Sequence, residues 1–74
     1  MNKFSSMCFY LLHNAEAYSY MNPNEREYVI SAHQAASKRA WIVGVDVENY
    51  RNVEAILKNV QERMENERNN RRNA

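Results

Sequence analysis

Phe4, Cys8, Leu11, Ala15 and Tyr18 recur at spacings of four, three, four and three residues, which places them on one helical face. The spacing predicts a first helix over about 5–20, opened by Ser5 or Ser6 as the capping side chain. Phe9 and Leu12 lie off that face, so the helix is apolar on a second side as well. The segment Met21-Asn22-Pro23-Asn24-Glu25 then reads as a short turn and a new start. Asn22 as N-cap puts Pro23 at the first helical position and Glu25 at the third; Asn24 with Glu27 is an equivalent pair.

Val29, Ala32, Ala36, Ala40 and Val43 form the stripe of a second helix reaching about Val43, widened by Ser31 and Ala35. Its small side chains allow close approach, so this helix is expected at the centre. Ile30, His33 and Trp41 point elsewhere, toward a second interface. Gly44, the only glycine, follows directly as a left-handed stop. Asp46 or Asn49 caps a third helix, whose stripe is Tyr50, Val53, Leu57, Val60 and Met64, with Ile56 beside it. From 67 to 74 the chain carries no apolar face and is expected to be a solvated, frayed tail. The expected architecture is therefore all-α: a helical hairpin plus a longer third helix in one domain over 1–66.

Composition turns this fold towards assembly. Leu, Ile, Val and Phe together number 14 of 74 residues. A core that thin rarely stabilises a lone small domain by more than about 3–5 kcal/mol. With the two-sided first helix, it predicts a helical homo-oligomer, with Phe9, Leu12, Tyr50, Val53, Leu57, Val60 and Met64 at the subunit interface.

Charge and cysteine usage exclude several classes of function. Ten Lys and Arg against nine Asp and Glu give a net charge of +1, too balanced for a protein held to nucleic acid by bulk charge. Cys8 is the only cysteine, so neither an intrachain disulfide nor a Cys-rich metal site is available. It sits in the apolar stripe beside no base. His13 and His33 lack partners at ligand spacing, Glu16 near His13 excepted. No nucleophile–base set or phosphate-binding glycine loop can be assembled. The expectation is no catalysis, no metal and no cofactor. No run approaches the length of a membrane span. The apolar run Met7–Leu12 is shorter than a signal-peptide core, so no membrane partner and a cytoplasmic setting are expected.

Two patterns carry candidate chemistry. Ala40, Gly44 and Val45, with Tyr50 and Val53 following, match the spacing of a DNA-binding helix-turn-helix. Glu48, Asn49, Arg51 and Asn52 would then face the bases. Residues 44–60 nonetheless sum to a charge of −1, from Asp46, Glu48 and Glu54 against Arg51 and Lys58, and an ordinary helical hairpin closed by its only glycine has the same spacing. The second pattern combines the rings of Tyr28, His33 and Trp41 with the cations Lys38 and Arg39, a mixture suited to a nucleotide. Tyr10, Tyr18 and Tyr20 offer further rings; each is equally an interface or core residue with a polar tip.

Arg26-Glu27 after a Pro-containing turn, with Trp41 fifteen residues beyond Arg26, resembles the small phage anti-CBASS proteins that sequester cyclic oligonucleotide signals of bacterial immunity. The resemblance covers about 5–43. It implies a homo-oligomer in the cytoplasm of a bacterial host, holding its ligand between protomers, with Arg26 near the phosphates and Tyr10 stacked on a base. The functional expectation is thus sequestration of a nucleotide-like signal. Inhibition of a host protein through the third helix, and DNA binding, are the alternatives.

Overall fold

Asn2, rather than Ser5 or Ser6, opens the first helix: its side-chain oxygen accepts from the Ser5 N–H at 2.8 Å. The computed structural model describes residues 2–38 and 42–73, the last in its backbone alone. Within them lie α1 (Lys3–His13), α2 (Ala15–Ser19), α3 (Pro23–Lys38) and α4 (Val45–Asn73), and no strand. The fold is all-helical.

The first predicted helix is in fact two. Asn14 takes an extended conformation (φ −86°, ψ 114°), and its side chain accepts from the Ala17 N–H at 3.0 Å. That cap starts α2 on a new axis, as an Asn able to compete for backbone donors does. The start of α3 follows the sequence reading closely. The Asn22 side chain accepts from the Glu25 N–H at 2.8 Å, the Glu25 carboxylate accepts from the Asn22 N–H at 2.9 Å, and Pro23 is the first helical residue.

The described part of α3 ends at Lys38; Ile42 is not helical, and Val43 and Gly44 form a turn. Val43, assigned to the buried stripe, is 81% exposed. Gly44 has φ +97°, the left-handed conformation that lets the chain stop and restart. The α4 helix begins at Val45 and Asp46 falls in its first turn. The buried Asp46 carboxylate accepts from the Ile42 N–H, and its own N–H donates to the Ile42 carbonyl at 2.9 Å, so Asp46 closes the turn behind it.

The centre is α1, not the small-residue helix. Phe4, Met7, Cys8 and Leu11 are all buried, and α1 packs on α2, α3 and α4. From α3 only Val29 and Ala32 are buried, whereas α4 contributes Val53 and Val60. Tyr50, Ile56, Leu57 and Met64 pack partly exposed around them. The α4 stripe turns polar after Met64 without leaving the fold. Glu67, three residues on, accepts from the Tyr20 hydroxyl, and the helix runs to Asn73 where a frayed tail was expected from 67. At about 1.5 Å per residue its 29 residues account for most of the 49 Å length of the molecule.

Candidate functional site

Among the described residues, those assigned to the ligand are engaged in separate places. Arg26 serves its own chain: its Nε and Nη2 donate to the Tyr18 carbonyl at 3.2 and 2.9 Å, and its guanidinium lies 4.3 Å from the Tyr18 ring centroid. It terminates α2 and ties that helix to α3. Tyr28 links α3 to α4, donating to Asn49 Oδ1 at 2.8 Å and accepting from Asn52 Nδ2 at 2.9 Å. Those two bonds also occupy the asparagines proposed to read bases, leaving Glu48 and Arg51 exposed on α4.

His33 is half-buried, and its Nδ1 is enclosed without a hydrogen-bond partner. Lys38 is exposed at the end of α3, where a cation complements the helix dipole. Arg39, Ala40 and Trp41 lie outside the described residues.

Among the described members of the set, Tyr10 lines open space. A surface cavity of about 340 Å³ is bounded by Ser6, Phe9, Tyr10, His13 and Asn14. Another, of about 370 Å³, lies between α1 and α4 and is bounded by Lys3, Ser6, Met7, Tyr10, Leu57 and Gln61. The two share Ser6 and Tyr10 and contain no carboxylate. Phe9 is 51% exposed and stacks on His13 with ring centroids 4.4 Å apart.

The expected interface residues separate in the same way. Val53 and Val60 are fully buried among this chain's own side chains, which removes them from any subunit contact. Leu12, Tyr50, Leu57 and Met64 are partly buried against the core, and only Phe9 stands clear of it.

A second exposed apolar patch escaped the sequence reading. Ile42, Val43, Val45 and Val47 are 48, 81, 50 and 36% exposed, around the turn that Asp46 closes. The stripe logic had folded Val43 inward. The signal was the β-branched run on both sides of the only glycine.

Charged groups away from these surfaces act as clasps. Arg63 Nη1 donates to Glu25 Oε1 at 2.6 Å and to the Tyr20 carbonyl at 2.9 Å, joining α4 to the α2–α3 turn. Burial alone raises the Glu25 carboxyl, but the Arg63 hydrogen bond, the Asn22 N–H and the Arg63 charge outweigh it and hold it below the usual carboxylate range. The Tyr20 hydrogen bond, with Arg71 nearby, likewise lowers Glu67 despite some desolvation. Burial pushes the Cys8 thiol up to about 11, so it is not a nucleophile at neutral pH.

Among the described residues no cluster of His, Cys, Asp or Glu can hold a metal ion, and no helix is long and apolar enough to cross a membrane. The chain matches no protein-family model, no curated protein and no solved structure.

Proposed function

We propose that this is a non-catalytic helical binding protein, acting as a homo-oligomer, that engages a partner protein through the aliphatic turn at the start of α4. One observation carries the reading. Of 14 Leu, Ile, Val and Phe residues, Ile42, Val43, Val45 and Val47 stand at one turn, each at least 36% exposed. A chain with so thin a core gains from burying such side chains, at about 25 cal/mol per Å². Contiguous exposed apolar patches characterise interaction surfaces. The partner class continues the host-protein inhibitor expectation, with the contact moved to the mouth of the third helix.

The test compares wild type with a Val43→Asp/Val45→Asp variant as bait in the host cytoplasm. Both residues are largely exposed, so the variant keeps its fold. A protein retained by wild type and lost from the variant supports the reading; equal retention contradicts it.

Sequestration of a nucleotide-like ligand stands as the second reading, favoured by Tyr10, which lines two adjoining open depressions on the surface of α1. The commitment of Arg26 and Tyr28 to contacts within the chain weighs against it. Calorimetry with cyclic nucleotides separates the two: heat that disappears in Tyr10→Ala selects the second.

A further inference from the structure

The net charge of +1 conceals a segregation along the chain. Arg68, Arg71 and Arg72 stand close together, and from 68 to 73 there is no acidic residue. Without those three cations the remainder of the chain carries −2. We infer that this end of α4 binds the sugar–phosphate backbone of a nucleic acid. A local asymmetry of charge, rather than the bulk value, marks a segment that meets a polyanion.

The helix presents the three arginines together. At about 100° per residue they fall within an arc of about 100°. That arc takes in the direction of Leu57 and Met64, which pack against the core. Arg68, four positions past Met64, is nevertheless exposed, so α4 has outrun the other helices there. The Tyr20–Glu67 clasp steadies the helix up to this point. Glu67 in turn holds Arg71 at 2.7 Å, using one of the five guanidinium donors on a side chain that is 77% exposed. Among the described residues Arg68 and Arg72 have no ion pair, although Glu65 stands one turn before Arg68. They are i,i+4 neighbours, and like charges so placed repel. A phosphate seated between them relieves that repulsion.

Side-chain chemistry selects a phosphate polymer. Every cation beyond Lys58 is an arginine. Its planar fork meets phosphate oxygens two at a time, which an ammonium does not. Asn66, Asn69 and Asn70 are exposed among the arginines and offer amide donors and acceptors to sugars and base edges. A helix that lies on lipid needs an apolar face, and α4 has no apolar side chain after Met64. The aliphatic turn is at the opposite end of α4, about 35 Å from Arg68 at 1.5 Å per residue, so the two surfaces do not compete.

Fluorescence anisotropy of a labelled RNA hairpin and a labelled DNA duplex, at about 50 mM salt, tests the inference on the full chain. Wild type should bind at least one of them, with an affinity that falls as salt rises. Arg68→Gln/Arg72→Gln should weaken binding about tenfold or more and flatten its salt dependence. Arg51→Gln/Lys58→Gln removes the same charge from α4 nearer its start and should leave binding nearly unchanged. All four positions are exposed, so both variants should keep the helical circular dichroism. No binding by wild type to either nucleic acid overturns the inference. Equal loss in the two variants, or displacement of the labelled strand by polyglutamate as readily as by unlabelled nucleic acid, also overturns it.

Discussion

The Tyr20 hydroxyl donates to the Glu67 carboxylate across 47 positions of sequence, fastening the end of α2 to the distal part of α4. Arg71 holds the same carboxylate from one turn further on, at 2.7 Å. A chain cut after Asn66 should therefore melt at a lower temperature than the full chain, as should Tyr20→Phe. A truncated protein with an unchanged melting temperature would show that the clasp contributes nothing.

The clasps also set the acid response. The carboxyls of Glu25 and Glu67 are both lowered from 4.5 in the folded state. Their contribution to stability is therefore complete above pH 4.5 and is lost as the pH falls through the lower folded values. Tyr20 is raised from 10.0, chiefly by its hydrogen bond to Glu67, so its contribution holds below pH 10 and fades as the pH rises through the folded value. Arg63→Met removes the partner of Glu25 and should cost about 0.5–1 kcal/mol, discounted for the exposure of Arg63. Denaturant midpoints between pH 3 and 7 should then fall less steeply in this variant than in wild type.

How far the sequence reveals this fold depends on which residues make their contacts locally. Asn22, Pro23 and Glu25 fix the start of α3 within four residues, and Gly44 fixes the turn before α4 through its own backbone. Those features were readable. The break at Asn14 was not, because the same apolar spacing fits one bent helix or two. Periodicity put Val53 and Val60 on one face of α4, and that face was assigned to a second chain because spacing does not say what covers it; the chain's own helices bury both. Arg26 was legible as a cation at a helix start, but its actual acceptor, the Tyr18 carbonyl, is set by how the α2–α3 turn folds back. Glu67 and Arg71 were legible only as part of a solvated tail, because the contact that holds them, the Tyr20 hydroxyl, lies 47 positions away.

Leu11 is fully buried on the central helix. Leu11→Ala should cost about 2–5 kcal/mol, as comparable core truncations do. That is the whole stability expected of so small a core. The variant should be largely unfolded at 25 °C by circular dichroism, and a cooperative melt close to that of wild type would contradict the assignment of α1 as the centre.

Gly44→Ala isolates a backbone effect. A Cβ placed there meets nothing within 4 Å, so the cost is the left-handed conformation alone, about 1–2 kcal/mol. Urea unfolding of the two proteins measures it, and equal midpoints would mean the turn relaxes without loss.

Cys8 reports on opening of the core. Buried and with its thiol raised to about 11, it should resist a disulfide reagent at pH 8 in the native protein and react at once in urea. Immediate reaction without denaturant would show that α1 is not closed over by the rest of the chain.

Two exposed apolar surfaces are assigned different occupants, and one cross-linking measurement addresses both. A photoreactive residue is placed singly at Phe9, at Val43 or at Arg51, which is exposed on the charged face of α4. The chain is irradiated in a cell lysate, and adduct masses are read by mass spectrometry. An adduct of twice the chain mass is expected from position 9, an adduct with a different protein from position 43, and none from position 51. The same spread of adducts from all three positions, or none from positions 9 and 43, would contradict these assignments.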